Sequence, residues 1–460
     1  MTDLLLFRSF ILLFRTQSSV KKRMKEITQF ADRSPEAPAS LAKQLEYPDA
    51  PDTNYNAKSP PADGKTITAA TISADKLEAA EAHLSQLRKK ADDGTITIGD
   101  AVNMAIVEEM LRDPWCVIHA EDLQAGSSYD IPKLTQQTFG RLRAADEIID
   151  EGHFMGKGRF FHEFSSLFAA LNSYISHQSP RSIWVTRRVA LGEGMNGYRP
   201  IVELMNANFG IYGMAELSSA GNTYATTGGQ FEMPMTIIGA GGTAPNQSLG
   251  AEHSQPFHAY VMGIPGLKIC TASSPDMAYG LTKSMIRDNG PGILFLPVKM
   301  MKSVKTPVNV GTCLPLNRAR LVHKASDAAV LSGKAVTVAT YLHGVKEAEK
   351  ALEIVAKESG YDMDLIELTS LKPFDMQTIK ESLSRTHKVI LLDESTLSGG
   401  VGATVSALIG EQCFDLLDAP VRRLCMDDAP VPYASSMEKA VVKRAEDLVE
   451  AMHDAVNKKF

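Results

Sequence analysis

The sequence predicts an α/β protein: a mostly parallel sheet with helices on both faces, followed by a second α/β domain. Short apolar stretches alternate with segments of helical spacing from about residue 116 onward, which is the pattern of βαβ units. After an interruption near 300–333 the same pattern resumes. The length of 460 residues also favours more than one domain, at about 150 residues for each.

The composition is that of a soluble globular protein. Hydrophobic residues make up 44% of the chain and charged residues 22%, as in ordinary globular domains. The net charge of −6 gives no electrostatic reason to expect nucleic acid as a partner. The five cysteines include no CxxC pair, which argues against a zinc site or a disulfide framework and fits a reducing compartment.

The N-terminus is basic and poor in acids. An apolar run over 4–14 is interrupted by Arg8 and is too short to span a bilayer, so no membrane association is predicted. A start of this kind indicates an organelle-targeting segment, with a cytosolic tail or a misassigned start codon as the alternatives. Residues 31–72 are rich in Pro, Ser and Asp, which indicates a disordered linker. We therefore predict a targeting segment and linker over 1–72.

Residues 73–310 are predicted to form the first domain. Ser73 is placed to cap a helix that closes at Gly94. Thr97 and Asp100 resemble a capping box for a second helix over 101–112. The remaining elements of this part follow from apolar runs and helical spacing. The first predicted strand begins with the apolar residues 116–118 and ends at 121–122. The others are 201–204, 235–238, 267–270 and 293–297, with a helix at 277–286.

Residues 334–460 are predicted to form the second domain, after a connection over 311–333. Its strands and helices alternate regularly, as in an open α/β sheet. The predicted strands are 336–340, 365–368, 389–392 and 421–424, and the helices lie near 345–357, 375–384 and 402–411.

Residues that could take part in a reaction follow the predicted strand 235–238. Three glycines (Gly239, Gly241, Gly242) come first, and a polar cluster with His253 follows at 252–255. Ligands in α/β sheets lie beyond the carboxyl ends of strands, and glycines let backbone approach a ligand closely. A titratable histidine there suits proton chemistry on a small substrate. The alternative is an ordinary βα loop with a surface histidine.

Eight segments of the chain carry a family resemblance when they are taken together and in order. They are 108–122, 141–156, 197–209, 226–234, 250–269, 286–291, 370–379 and 429–434. They resemble the beta subunits of the thiamine-diphosphate-dependent decarboxylases of 2-oxoacid dehydrogenase complexes, pyruvate dehydrogenase above all. The stretches TTGGQFEMP, GAEHSQ and ELTSLKPFD resemble the plastid and cyanobacterial branch, so a plastid is predicted and the mitochondrial matrix is the alternative.

The resemblance implies a pyrimidine-binding α/β domain followed by a transketolase-type C-terminal domain. The chain has no GDG followed by the asparagine with which such enzymes hold magnesium and the cofactor diphosphate. It would therefore bind only half of the thiamine diphosphate. An alpha subunit would supply the magnesium site in an α2β2 assembly. Pyruvate would be the substrate, and a dihydrolipoyl acyltransferase core would receive the acetyl group.

The resemblance also implies roles for individual residues. Glu151 matches the carboxyl group that exchanges a proton with the aminopyrimidine ring, and a raised pKa would suit that role. Phe209 matches an aromatic residue packed against the ring, and His253 matches an active-site histidine. A possible potassium site would use mainly backbone carbonyl groups. Its residues would be Met235, Met285, Ile286, Asp288 and Gly290.

Three departures from the family pattern leave alternatives open. Residues 215–219 read AELSS where the family commonly has DQxxN, Ile238 stands where many members have Arg, and DEIIDE (146–151) replaces the usual DTPIxE. The alternatives are a branched-chain 2-oxoacid decarboxylase subunit and a catalytically silent paralogue that binds the alpha subunit as a scaffold.

Residues 159–188 form an aromatic and serine-rich stretch that fits no neighbouring element. Joining Gly158 directly to Val189 restores the family spacing after Glu151. Long loops without structure of their own are uncommon in compact domains. We therefore predict a retained intron or gene-model artefact, with a regulatory lid as the alternative. A peptide from the mature protein that joins Gly158 to Val189 would confirm the artefact, and abundant peptides from within 159–188 would exclude it.

Overall fold

The computed structural model describes residues 72–147, 190–247 and 249–457, with six isolated positions before them: 22, 23, 25, 26, 29 and 33. Glu151 and the stretch 159–188 lie outside the described residues, as does nearly all of the predicted targeting segment and linker. Among the helices that the structure describes, none is long and apolar enough to cross a membrane.

The strands form two sheets. The first is built from β1 (Cys116–Glu121), β2 (Ala144–Glu147), β3 (Arg199–Leu204), β4 (Thr236–Gly241), β5 (Lys268–Thr271), β6 (Gly292–Pro297) and β10 (Ser370–Lys372). The second is built from β7 (Arg320–His323), β8 (Ala335–Thr340), β9 (Asp362–Glu367), β11 (Val389–Thr396) and β12 (Arg422–Met426).

Both sheets are parallel except at one edge. The first has the order β10-β5-β6-β4-β3-β1-β2, with only β10 antiparallel to its neighbour. The second has the order β12-β11-β8-β9-β7, with only β7 antiparallel. The central strands are buried along their whole length. Strands covered on both faces are expected for parallel sheets, and they explain the continuous apolar runs in the sequence.

Helices connect the strands. The longest are amphipathic or buried, because their apolar residues recur on one face and pack on the sheets. The helices are α1 (Ala74–Asp92), α2 (Ile98–Arg112), α3 (Thr135–Phe139), α4 (Ala190–Met195), α5 (Met214–Thr226), α6 (Phe257–Val261), α7 (Pro275–Arg287), α8 (Asp327–Leu331), α9 (His343–Glu358), α10 (Met376–Thr386), α11 (Val401–Gln412), α12 (Ser435–Val441) and α13 (Ala445–Val456).

One hydrophobic cluster is shared by the two sheets. It includes Phe257 and Phe295 from the first part of the chain and Tyr341 and Leu391 from the second. A polar contact crosses the same boundary, since Tyr341 Oη lies 2.9 Å from Nε2 of the buried His258. The two sheets are therefore packed against each other through a common core.

Most predicted elements are present, with shifted ends. Thr97 caps α2 by accepting a hydrogen bond from Asp100 N (3.1 Å), as predicted, although the helix already begins at Ile98. Ser73 precedes α1, but its side chain makes no capping bond. The strand predicted at 235–238 continues through Gly241.

Two short strands lie in places that the predicted domain boundaries do not account for. β7 lies within the segment 311–333, which was predicted as a connection, and pairs with β9. β10 belongs to the second half of the sequence, yet it pairs with β5 in the first sheet. Three and four residues carry too little periodicity to reveal a strand. The domain boundaries stay a prediction.

Candidate functional site

Two buried carboxyl groups lie at the carboxyl end of the first sheet. Glu121 is the last residue of β1, and Glu203 precedes the last residue of β3. Burial raises the pKa of Glu203 to about 8. A hydrogen bond from Ser127 Oγ (3.0 Å) lowers this pKa, and the charge of Glu121 raises it. Glu203 Oε2 has no hydrogen-bond partner among the described residues. Glu203 can therefore hold a proton at neutral pH and present one oxygen to a bound molecule.

The loop after β1 adopts backbone conformations that side chains other than glycine rarely take. Asp122, Ser127, Asp130 and Leu134 have φ values between 50° and 62°. Such left-handed positions cost energy and cluster at functional sites. One of them, Ser127, is the residue that donates to Glu203. The strained loop therefore helps to hold the buried carboxyl group in place.

The structure brings together two of the predicted site residues, Phe209 and His253. Their ring centroids are 5.2 Å apart and the interplanar angle is 76°, which is an edge-to-face contact. Phe209 is half-buried in the 3-10 helix Ala207–Gly213, directly after β3, and His253 is exposed at the end of the 3-10 helix Ala251–His253. An exposed imidazole beyond the carboxyl ends of parallel strands is accessible to a small substrate and can exchange a proton with it.

The glycines after the predicted strand serve protein packing. A Cβ atom on Gly241 would lie 2.7 Å from the Ala207 side chain, and one on Gly239 would lie 3.0 Å from it. Gly242 has φ +87°, and a Cβ there would overlap Oε2 of Glu394 from the second sheet. The expectation that these glycines admit a ligand is therefore corrected, because other parts of the chain already fill the space next to them.

A buried ion cluster in β1 was not predicted from the sequence. His119 Nδ1 lies 2.8 Å from Glu147 Oε1, and its Nε2 lies 2.7 Å from Glu193 Oε2. Burial lowers the pKa of His119. The charge of Glu193 and the hydrogen bonds to both carboxylates outweigh burial and raise the pKa to about 9. The imidazole is therefore positively charged at neutral pH and ties β2 and α4 to β1.

This cluster accounts for one departure from the family pattern. In the segment DEIIDE, Glu147 stands at the position of the usual Thr. The structure gives this glutamate a buried cationic partner, so the departure is compensated within the chain. The available signal was a histidine inside the apolar stretch Cys116–Glu121, but only the fold shows which carboxylates it meets.

A second departure is also accommodated by packing. Ile238, at the position of an arginine in many relatives, is fully buried in the hydrophobic core of the first sheet. Residues 215–219 lie in α5, where Leu217 is buried and Ala215 is exposed.

Two of the residues predicted to bind potassium, Ile286 and Asp288, contact Arg199 through their carbonyl oxygens. The guanidinium of Arg199 donates to the carbonyl oxygens of Ile286 (2.9 Å) and Asp288 (2.8 Å), and Lys268 Nζ lies 2.6 Å from the Asp288 carboxylate. A carbonyl oxygen has two lone pairs, so an ion here would share these oxygens with Arg199. All five residues are buried: Met235, Met285, Ile286, Asp288 and Gly290.

The described residues of the site suit an aminopyrimidine. Such a ring offers a nitrogen and an amino group to carboxyl oxygens, and its faces pack on aromatic side chains. Glu203 Oε2 is buried without a partner in the described part of the chain, and Phe209 is half-buried and follows the same strand. In the ranges that the structure describes, no group of three or more His, Cys, Asp or Glu is placed to hold a metal ion.

The chain is similar to known proteins over most of its length. Residues 327–448 match the family model of the transketolase C-terminal domain. The pyruvate dehydrogenase E1 component subunit beta of Gracilaria tenuistipitata var. liui is 37% identical over 359 residues, covering 78% of this chain and 98% of that protein. The subunit of Porphyra purpurea is 35% identical over 360 residues, with coverages of 78% and 96%. Subunit beta-4, chloroplastic, of Oryza sativa subsp. japonica is 33% identical over 378 residues, with coverages of 81% and 83%.

A solved structure shows the same fold. A split-gene transketolase, an inactive beta4 tetramer, aligns with a TM-score of 0.56 and 17% identity, covering 79% of this chain and 99% of that one. This likeness supports the α/β architecture with a transketolase-type C-terminal domain. The relatives above 30% identity are matched over most of their length, and the chain therefore belongs to the family of pyruvate dehydrogenase E1 component beta subunits.

Proposed function

We propose that this chain is the beta subunit of the decarboxylating component of a pyruvate dehydrogenase complex. The assembled enzyme decarboxylates pyruvate with thiamine diphosphate and passes the acetyl group to the lipoyl groups of a dihydrolipoyl acyltransferase core. The observation that carries the proposal is the carboxyl end of the first sheet. There Glu203, with its raised pKa and an oxygen without a described partner, shares one edge with the Phe209–His253 pair.

The site residues have different proposed roles because their side chains and surroundings differ. When bound, thiamine diphosphate supplies the electron sink that a 2-oxoacid needs to lose carbon dioxide. Glu151 would exchange a proton with the pyrimidine ring nitrogen, and Glu203 would offer a protonated carboxyl group to the same ring. Phe209 would pack against the ring face. His253 donates a proton to the substrate oxygen or orients it.

An alpha subunit is the proposed partner, in an α2β2 assembly, and it carries the magnesium and diphosphate site. Exposed apolar side chains next to the site support a protein interface. They follow β3 and lie on α6: Ile211, Tyr212 and Tyr260. An obligate interface of this kind buries a large and mainly apolar area.

Cofactor binding is expected to require both subunits. The isolated chain should give no measurable heat with thiamine diphosphate and magnesium in titration calorimetry, because its sequence lacks the GDG motif and the following asparagine with which such enzymes hold the diphosphate. Mixing with the alpha subunit should restore binding. Tight magnesium-dependent binding by the chain alone would contradict the shared-site proposal.

The assembled pair is expected to prefer pyruvate over branched-chain 2-oxoacids, as its curated relatives are named for pyruvate dehydrogenase. The test is kcat/KM for pyruvate and for 2-oxoisovalerate, measured with the same preparation. A higher kcat/KM for 2-oxoisovalerate would favour the branched-chain alternative.

A plastid is the proposed location. Some curated relatives carry the description chloroplastic, and the first 25 residues are basic and poor in acids. Residues 1–72 fused to a fluorescent reporter should direct it into plastids. A mitochondrial signal would favour the alternative location, and a diffuse cytosolic signal would reject both.

Potassium stays a proposal that thermal unfolding can test. An ion coordinated by the Ile286 and Asp288 carbonyl groups stabilises only the folded state, so the Tm should rise with potassium concentration. Choline chloride at equal ionic strength is the control. An identical Tm in both salts would remove the ion from the proposed site.

A further inference from the structure

The loop that carries His253 is held by side chains from the second half of the chain. We propose that Glu394 and Glu438 are positioning residues that fix this loop, and with it the place of His253, for the decarboxylation reaction. We define the His253 loop as residues 242–247 and 249–253. The proposal rests on the role given to His253 under the proposed function.

Glu394 holds the beginning of the His253 loop. Its side chain is buried at the end of β11, and Oε2 accepts a hydrogen bond from Thr243 N (3.2 Å). Thr243 Oγ1 donates to the carbonyl oxygen of the same glutamate (2.8 Å). Gly242, with φ +87°, brings the backbone so close that any side chain would meet Glu394 Oε2. Two hydrogen bonds and one close approach therefore fix this end of the loop to the second sheet.

The other contacts of Glu394 make its carboxylate a rigid anchor. Oε1 accepts from His343 N (2.5 Å) and Gly344 N (3.1 Å) at the start of α9. Backbone N–H groups at a helix N-terminus stabilise a carboxylate there. The carboxylate of Glu394 is therefore fixed relative to β11 and α9. The start of the His253 loop, which is bound to this carboxylate, is fixed relative to the same elements.

Glu438 holds the middle of the His253 loop. Its side chain is fully buried in α12, and Oε1 accepts a hydrogen bond from Gln247 N (2.8 Å). Gln247 is itself buried, and its Oε1 accepts from Ala244 N (2.8 Å). One carboxylate from α12 thus supports a small hydrogen-bonded turn inside the loop.

The end of the loop is held from the first sheet. Asn206 Nδ2 donates to the carbonyl oxygen of His253 (3.2 Å), and Asn208 Nδ2 donates to that of Glu252 (3.1 Å). The exposed imidazole then stands against Phe209. The His253 loop is therefore bound to both sheets. Loss of the Glu394 carboxylate should make its beginning more mobile and loss of the Glu438 carboxylate its middle, while Asn206 and Asn208 still bind its end.

The test uses the complex assembled with the alpha subunit and the variants Glu394→Leu and Glu438→Leu, which remove both acceptor oxygens. Glu347→Leu is the matched control. Glu347 is also a buried glutamate, and it accepts a hydrogen bond from Ala445 N (3.1 Å), which lies outside the His253 loop. We expect faster hydrogen exchange in peptides covering 242–253 for the two variants only. We also expect kcat to fall by about 10-fold or more, as misplaced catalytic groups require, with KM for pyruvate nearly unchanged.

His253→Gln separates a failure of this inference from a failure of the proposed function. If Glu438 acts through His253, the double variant should be no slower than His253→Gln alone. Unchanged exchange over 242–253 in Glu438→Leu would overturn the positioning role, whatever the activity. A loosened loop together with full activity in both Glu438→Leu and His253→Gln would also overturn it, and would remove His253 from the proposed mechanism. Should Glu394→Leu fail to fold, Glu438→Leu and its control decide alone.

Discussion

Replacing Glu151 with glutamine is expected to lower pyruvate-dependent turnover of the assembled pair by about 10²–10⁴-fold, the usual contribution of a positioned acid or base. Glutamine keeps the size of the side chain but cannot exchange a proton with the pyrimidine ring. The measurement is steady-state reduction of an artificial electron acceptor with pyruvate, in wild type and variant. Thiamine diphosphate binding by calorimetry shows whether the variant still carries its cofactor.

Asp150→Asn provides the matched control for Glu151. It removes a carboxylate from the adjacent position, which is variable in the family pattern DTPIxE. Activity within about two-fold of wild type is expected for Asp150→Asn, because the family pattern requires no particular residue at this position and a single substitution away from the chemistry usually has a small effect. Equal activity in Glu151→Gln and Asp150→Asn would remove Glu151 from the mechanism.

Replacing His119 with leucine is expected to lower the free energy of unfolding by about 3–5 kcal/mol, the usual cost of removing one partner of a buried ion pair. Glu147 and Glu193 would then face each other without the imidazolium between them. Urea unfolding followed by intrinsic fluorescence measures the effect. His323→Leu is the control, because His323 pairs with Asp362 at 2.8 Å while 41% of its side chain stays exposed. A change there should be below about 1 kcal/mol.

The pH dependence of stability has the opposite sign for two buried histidines. His119 has a pKa of about 9, against 6.5 for the free side chain, so its stabilisation is complete below pH 6.5 and is lost as the pH rises through 9. Burial lowers the pKa of His258 to about 4. The unfolded chain then binds a proton that the folded chain does not, and stability is lost as the pH falls from 6.5 to 4.

Each histidine accounts for a change of about 3 kcal/mol in the free energy of unfolding across its pH range, since one pKa unit corresponds to about 1.4 kcal/mol. Unfolding curves at several pH values should show the acid loss from His258 and the alkaline loss from His119. The raised pKa of Glu203, about 8, adds a loss of stability as the pH rises from 4.5 to 8, because the folded chain then holds a proton that the unfolded chain has released. The alkaline decline should be smaller in His119→Leu and unchanged in His323→Leu. A wild-type stability that keeps rising between pH 7 and pH 9 would contradict the charged state of His119.

The alternation of strands and helices was predictable because parallel strands covered on both faces produce continuous apolar runs. The run that became β11 shows this, and so does β6 with its six buried residues. β2 could not be predicted, since its sequence AADE is short and half polar. Its place in the sheet comes from pairing with β1, a tertiary contact that local periodicity does not record.

The site was predictable in part. The sequence pointed to His253, and the family resemblance pointed to Phe209, but the contact between the two rings was not predicted. The raised pKa of Glu203 depends on burial at the end of β3, and the charge of His119 depends on carboxylates far apart in the chain. Such properties belong to the assembled fold, because they require distances that the sequence does not contain.

The most direct measurement is pyruvate-dependent reduction of an artificial electron acceptor by this chain co-expressed with its alpha subunit. The account predicts turnover by the pair, dependent on thiamine diphosphate and magnesium, and none by either subunit alone. A folded α2β2 complex that binds the cofactor and shows no turnover with pyruvate would contradict it, and would leave a silent scaffold as the function of the chain.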